Sequence, residues 1–211
     1  MPASAPGAGQ GTASDPAQLA KQFFESNRFA DAAAEFDRAY RATFDPALLY
    51  NLGICYRKLK DPARALAAYQ EYLLRAVDSP HRANVEARVQ QLEAELTDQD
   101  SALVAASPSA GPANRAKDRD GRSLFASGQF AKAATEFEKA YKAKSDPALL
   151  YAAAVCHLRA GSLDRAMAAY RDYWVRVPES ALRLTVELRI QEIRREQERR
   201  QPPTGLARPP R

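Results

Sequence analysis

Residues suited to catalysis, redox chemistry or metal binding are few in this chain of 211 residues. The histidines are His81 and His157, and the cysteines are Cys55 and Cys156. The sequence contains no CxxC pair and none of the HExxH, GxSxG, Walker A or GxGxxG motifs that organise such chemistry. We therefore expect no enzyme activity, no metal site and no cofactor.

An internal duplication organises the chain around these residues. The hexapeptide DPALLY begins at Asp45 and again at Asp146. Residues 21–95 align with residues 122–196 without a gap, and this alignment pairs the two cysteines. Because reduced cysteine is among the most frequently buried residues, we expect both thiols to pack in the interior. A redox or disulfide role is the alternative.

Aspartate–proline pairs mark the predicted helix starts. Asp15, Asp45, Asp61 and Asp146 each precede a proline, so the aspartate can cap the helix and the proline can occupy its first position. Ser162 is expected to cap the matching helix of the second half. Frequent alanine and scarce glycine also favour helix. The predicted helices cover residues 16–27, 30–43, 46–59, 62–76, 80–97, 115–127, 131–144, 147–160, 163–176 and 179–199.

Changes in composition predict the boundaries between units. Residues 1–14 are rich in proline, alanine, glycine and serine, and we expect them to be disordered. The first helical unit is expected at 15–98 and the second at 115–200. The sequence SALVAASPSAGPAN predicts a linker at 99–114, and four prolines predict a disordered tail at 201–211.

Small and aromatic residues recur at helical spacing in each half. Ala32, Phe36 and Ala39 share one helix face, and Ala65 and Tyr69 repeat the pattern about 33 residues later. The second half repeats this set as Ala133, Phe137, Ala140, Ala166 and Tyr170. The pattern resembles the tetratricopeptide repeat family, whose repeat is a helical hairpin of about 34 residues.

The resemblance implies an all-α fold of the α-solenoid type. It predicts two duplicated units, each made of two helical hairpins and a capping helix that covers the open end of the stack. The chain departs from the family pattern in four places, one of which is Asp120, where a leucine is usual. Tyr72 and Tyr173 replace the last small residue of a hairpin, and His157 stands where the first half has Tyr56.

In the resembled family, the first helix of each hairpin lines a concave surface that binds a protein or peptide. The resemblance therefore implies these partner-binding residues: Tyr50, Asn51, Ile54, Arg57 and Lys58 in the first half, and Tyr151, Val155, Leu158 and Arg159 in the second. The alternative is that Tyr50 and Tyr151 only pack against neighbouring helices. Since the polar and basic YNLGICYRKLKD became the more apolar YAAAVCHLRAGS, we expect the halves to bind different partners.

The expected function is that of a non-enzymatic scaffold or adaptor between proteins. One alternative is a structural module that self-associates through its fifth helices, which would make a homo-oligomer. The other is a tether to an anionic surface, because the formal charge is +5 and the excess gathers after Arg183. A small-molecule substrate is not expected. Nucleic-acid binding is not expected either, because most aromatic residues occupy repeat core positions.

The sequence carries few signals for its location. It has no apolar run long enough for a transmembrane helix and no recognisable signal peptide, so a cytoplasmic location is expected as written. The alternative is the periplasm or cell envelope after removal of a leader. This alternative comes from a resemblance to alanine- and arginine-rich repeat proteins of GC-rich bacteria.

Overall fold

The computed structural model describes residues 15–107 and 115–200, with side chains from 121 onward in the second range. The segments predicted to be disordered, 1–14 and 201–211, lie outside the described residues. Within the described ranges the chain is entirely helical, with ten α-helices and no strand. The predicted all-α fold is confirmed.

The helix bounds agree with the prediction to within a few residues, except at the end of the fifth helix. The first five helices are α1 (Pro16–Glu25), α2 (Phe29–Thr43), α3 (Pro46–Lys58), α4 (Pro62–Arg75) and α5 (Arg82–Ala106). The remaining five are α6 (Arg115–Ala126), α7 (Phe130–Lys144), α8 (Pro147–Arg159), α9 (Leu163–Arg176) and α10 (Arg183–Arg200). The chain divides into two compact units, Met1–Leu92 and Glu93–Arg211, and the division falls within α5.

The aspartate caps form as the sequence predicts. The side chains of Asp15, Asp45, Asp61 and Asp146 each accept a hydrogen bond from a backbone N–H group in the first turn of the following helix. These bonds satisfy donors that would otherwise have no partner. Ser162 stands at the N-cap position of α9 without a side-chain hydrogen bond, so its predicted capping role was wrong.

Left-handed residues close the hairpin loops of both units. Asn27 and Gly128 occupy equivalent positions and have φ angles of 57° and 75°. Lys60 and Gly161 form the second equivalent pair, with φ angles of 57° and 71°. Glycine adopts this conformation without steric cost, whereas asparagine and lysine tolerate it at a single turn position. Each helix therefore reverses direction within a few residues and packs against the preceding one.

Alanine allows the paired helices to approach closely. Ala32, Ala65, Ala133 and Ala166 are fully buried, and the aromatic ring four positions after each of them is also buried. Small residues admit the neighbouring backbone, and the ring fills the groove beside them. The core of each unit therefore follows the predicted repeat pattern.

The two tyrosines that depart from the family pattern connect a hairpin to its capping helix. The hydroxyl groups of Tyr72 and Ser79 are hydrogen-bonded, and those of Tyr173 and Ser180 are hydrogen-bonded at 2.8 Å. The Ser180 hydroxyl also accepts the Leu182 backbone N–H at 3.1 Å. Each tyrosine thus fixes the turn that leads into the fifth helix of its unit.

The predicted linker differs from the structure. Residues 99–106 continue α5, and the remainder, 108–114, lies outside the described residues. Residues 99–107 contain no proline or glycine that would end the helix. Asp100 and Val104 are buried, so packing stabilises these last turns as helix. The predicted end of the first unit at residue 98 also differs from the division after Leu92.

No helix among the described residues combines the length and apolar character needed to span a membrane.

The close helix contacts give a matched test of the core. Ala133 is fully buried on α7, whereas Ala131 is exposed on the same helix. Replacing Ala133 by leucine should lower the free energy of unfolding by about 1–3 kcal/mol because three extra carbons must enter a packed contact. Ala131→Leu should change it by less than about 0.5 kcal/mol. Urea denaturation followed by circular dichroism measures both, and equal effects would contradict the assigned faces.

Candidate protein-binding surfaces

The predicted partner-binding residues of the first unit are partly accessible. Tyr50, Asn51 and Ile54 on α3 are half-buried, and Arg57 and Lys58 at its end are exposed. We call these five residues, together with Arg88 of α5, the α3 surface.

Aromatic contacts hold the tyrosine of the α3 surface in place. The ring centroid of Tyr50 lies 6.1 Å from that of Tyr69, 5.8 Å from that of Tyr72 and 5.7 Å from that of His81. The His81 ring is nearly parallel to it, with an interplanar angle of 23°. Part of the expected alternative, packing of Tyr50 against neighbouring helices, is thus present, although the side chain keeps an accessible part.

Positive charge converges on the floor of the α3 surface. The guanidinium carbon of Arg88 lies 6.0 Å from the Tyr50 ring centroid, and its Nε donates to Asn84 Oδ1 at 2.6 Å. Burial raises the pKa of Tyr69, and the charges of Arg88 and Arg57 oppose that rise. Among the described residues, the Tyr69 hydroxyl has no hydrogen-bond partner.

The arginines of the α3 surface lack carboxylate partners. Neither Arg57 nor Arg88 forms a salt bridge with any residue that the structure describes, although most other arginines on the helices of the first unit do. Lys58 also has no such bridge in the described ranges, and its Nζ lies 6.0 Å from the Phe29 ring centroid. This surface therefore carries positive charge that the unit itself does not neutralise.

The corresponding residues of the second unit are covered. Tyr151 and Val155 on α8 are buried, Leu158 is half-buried and Arg159 is exposed. We call these four residues, together with Arg189 of α10, the α8 surface. Its cover is the part of α5 that belongs to the second unit, residues 93–107, which we call the α5 segment.

A buried aspartate attaches the α5 segment to the α8 surface. The hydroxyl of Tyr151 donates to Asp100 Oδ1. The Nε and an Nη of Arg189 both donate to Asp100 Oδ2, at 2.9 and 2.8 Å. Arg189 also reaches Glu192 at 2.8 Å and the Thr97 hydroxyl at 3.3 Å. All these groups belong to one network across α5, α8 and α10.

Two further contacts hold the α5 segment along its length. Arg159 donates to the Thr97 carbonyl at 3.2 Å and to the Ser101 hydroxyl at 2.8 Å. Val104 is fully buried in the apolar core of the second unit. The segment therefore lies on the α8 surface through an ion pair, charge-assisted hydrogen bonds and apolar burial.

The electrostatics of the network reflect its burial. Burial raises the pKa of Asp100, while the charge of Arg189 and the hydrogen bond from Tyr151 oppose that rise. Burial beside Asp100 also raises the pKa of Tyr151, so its hydroxyl keeps its proton and donates. A buried carboxylate that accepts three donors is a satisfied structural element, and its removal would leave Arg189 with only the exposed Glu192.

The remaining candidate residues have structural roles. His157 is buried, and its Nε2 is 2.6 Å from Glu138 Oε1, which connects α8 to α7 at the position where the first half has Tyr56. Cys55 and Cys156 are buried and not joined in a disulfide. In the described parts of the chain, no cluster of three histidine, cysteine or acidic residues could hold a metal ion.

Sequence reasoning did not identify three residues of these surfaces. Asp100 fell in the predicted linker, and Arg88 and Arg189 fell in helices that were interpreted as caps. The duplication offered one signal, because Arg88 aligns with Arg189 as an identical arginine in both copies. No signal near Asp100 indicates its partners, since they lie 51 and 89 residues away.

Comparison with protein families identifies the repeat. The model described as Tetratricopeptide repeat matches residues 18–80 and 119–181, which together exceed half of the chain. The chain belongs to the tetratricopeptide repeat family. Repeats of this family are protein–protein interaction modules, in general without enzymatic activity, and its members bind protein or peptide partners.

Solved structures of tetratricopeptide proteins are similar to the chain at low identity. The TPR2AB domain of yeast Sti1 in a complex with pHSP90 is 15% identical to this chain, and the match has a TM-score of 0.37. It covers 87% of this chain and 83% of the Sti1 chain. The thermophilic protein TTC0263 of Thermus thermophilus is 22% identical over 84% and 96% of the two chains, with a TM-score of 0.33. MamA of Desulfovibrio magneticus RS-1 is 15% identical over 89% and 98%, with a TM-score of 0.31. Comparison with curated proteins gives no significant match.

The Asp100 network predicts a large difference between two neighbouring aspartates. Asp100→Ala should lower the free energy of unfolding of the second unit by about 3–5 kcal/mol, because it leaves a buried guanidinium without its main partner. Asp98→Ala removes an exposed carboxylate of the same helix and should cost less than about 0.5 kcal/mol. Urea denaturation measures both variants. Equal stabilities would show that the ion pair contributes nothing to the attachment of the α5 segment.

The buried thiols should be unreactive in the folded protein. Burial raises the pKa of Cys55 to about 11 and that of Cys156 to about 12. At about pH 8, only about one Cys55 thiol in a thousand is then ionised, and the thiolate is the reactive form. Labelling with a disulfide reagent should be negligible in the native state and reach both thiols after denaturation. Rapid native labelling at this pH would contradict the burial of both cysteines.

Proposed function

We propose that the protein is a non-enzymatic adaptor that binds a partner protein through the α3 surface of its first unit. The observation that carries this proposal is the accessible and unneutralised state of that surface, in contrast to the covered α8 surface. Tyrosine and arginine are the residue types most enriched at the energetic centres of protein interfaces. The rings around Tyr50 fix its orientation before binding, which reduces the entropy lost when a partner docks.

The α8 surface has a conditional role in this proposal. Tyr151 and Val155 are buried and bind a partner only after the α5 segment leaves, whereas Leu158 is half-buried and the exposed Arg159 is engaged by hydrogen bonds to that segment. The first unit is therefore the constitutive site and the second is a reserve site. This difference agrees with the expectation that the two halves bind different partners.

The structure favours the adaptor over the two alternatives. Self-association through the fifth helix of the second unit would need its apolar stripe, yet Val186 and Ile193 are buried and Ile190 packs against the core of its own unit. A basic tether would use the arginines of α10. Arg199 and Arg200 both pair with Glu196. Arg194 and Arg195 form no salt bridge with a described residue, but Glu192, Glu196 and Glu198 lower the net positive charge of this helix.

The adaptor proposal predicts loss of binding when the exposed charges of the α3 surface are reversed. The double variant Arg57→Glu with Lys58→Glu should lose the partner in a pull-down from cell extract that is quantified by mass spectrometry. The matched control Arg38→Glu with Arg41→Glu makes the same change of charge on exposed positions of α2 and should retain it. Capture by both variants would move the binding site away from the α3 surface and overturn the proposal.

A further inference from the structure

The duplication makes the two surfaces directly comparable. Each residue of the α3 surface has an equivalent that lies 101 positions later in the chain. Tyr50 corresponds to Tyr151, and Arg88 corresponds to Arg189. Lys58 corresponds to Arg159, so the basic residue at the end of the helix is also retained. The tyrosine and the arginine that meet Asp100 in the second unit, and a basic residue at the end of the leading helix, are therefore present in the first unit as well.

The occupant of the α8 surface is a strongly acidic helix. Residues 93–107 contain no lysine or arginine. Their carboxylates are Glu93, Glu95, Asp98 and Asp100. One of them, Asp100, enters between the tyrosine and the arginine of the α8 surface. The second unit thus shows what kind of ligand this arrangement of side chains accepts.

The α3 surface carries more positive charge than the α8 surface. Arg57 stands where the α8 surface has the apolar Leu158, and Gln91 stands where the second unit has Glu192, which pairs with Arg189. Both differences make the first unit more positive at the place where a ligand carboxylate would lie. Asn51 also replaces the buried Ala152 and adds an amide that can form hydrogen bonds.

The chain itself offers no obvious occupant for the α3 surface. No carboxylate of the described residues pairs with Arg57 or Arg88. The segments 1–14 and 201–211 contain no aspartate or glutamate, and the α5 segment already lies on the α8 surface. The described carboxylates therefore leave Arg57 and Arg88 available to a carboxylate of another molecule, and the side chains of Asp118 and Asp120 lie outside the described residues.

We propose that the α3 surface binds an acidic α-helix of a partner protein, with one carboxylate between the Tyr50 hydroxyl and the Arg88 guanidinium. The carboxylate takes the place that Asp100 takes between Tyr151 and Arg189. Charge-assisted hydrogen bonds of this kind combine affinity with geometric specificity. The inference rests on the proposed function and specifies its ligand as a helix of defined chemistry.

The chain supplies its own probe for this site. A fluorescent, helix-stapled peptide with the sequence of residues 93–107 is titrated against the full chain, and fluorescence anisotropy reports binding. We expect saturable binding of one peptide per chain. Asp100→Asn in the peptide should weaken binding by about tenfold or more, because it removes the charge from the carboxylate that meets arginine. The Asp98→Asn peptide has the same net charge and should change binding by less than about threefold.

Variants of the full chain locate the bound peptide. Arg88→Gln should weaken binding by about tenfold or more, whereas Arg41→Gln, an exposed position on α2, should change it by less than about threefold. Tyr50→Phe removes only the hydroxyl and should also weaken binding. If thermal denaturation shows that Arg88→Gln is unfolded at the assay temperature, Tyr50→Phe still tests the site.

Three outcomes would overturn the inference. They are an absence of saturable binding, equal effects of the two asparagine peptides, or binding that neither Arg88→Gln nor Tyr50→Phe changes. A dimer of the full chain that Arg88→Gln converts to a monomer would also overturn it, because a second copy would then be the occupant. If partner capture still depends on Arg57 and Lys58 while the peptide fails to bind, the adaptor proposal stands and only the acidic helix is wrong.

Discussion

A guanidinium group that leaves water requires a carboxylate, and this requirement governs the difference between the two units. Arg189 is removed from solvent and meets Asp100, which also accepts the Tyr151 hydroxyl. The contact attaches residues 93–107 to the second unit, and residues 99–106, which the sequence predicts to be a linker, are helical there. In the first unit the equivalent Arg88 is half-buried, donates to the amide oxygen of Asn84 and has no carboxylate partner among the described residues.

The two duplicated units share one architecture but differ in what packs against the leading helix of the second hairpin. The hairpin cores are nearly interchangeable, because the same alanines and rings pack in both units. The units differ on the leading helix of the second hairpin, where the polar residues of α3 have more apolar counterparts on α8 and the α5 segment packs against α8. The copy that covers its own surface is stabilised by an internal ligand. The copy that does not cover its surface keeps positive charge available for a partner, and this division is consistent with an interaction module of the tetratricopeptide repeat family.

The sequence predicted those parts of the structure that local signals determine. Helix starts followed from Asp–Pro pairs such as Asp45 and Asp146, and the packed faces followed from the spacing of small and aromatic residues. The helical state of residues 99–106 was not predictable in this way, because it depends on burial of Asp100 against residues far away in the chain. The different burial of Tyr50, which is half-buried, and Tyr151, which is buried, was not predictable either, because both residues lie in identical DPALLY segments. Only the tertiary position of the α5 segment distinguishes them.

The central claim is that the α5 segment covers the α8 surface. Hydrogen–deuterium exchange of the intact chain tests this claim most directly. If the claim is right, backbone amides at 97–106 exchange as slowly as those of α8, because the Asp100 network and Val104 hold the segment against the unit. Peptides from this segment that exchange at the rate of an unstructured linker would contradict the account. In that case the α8 surface would be as open as the α3 surface.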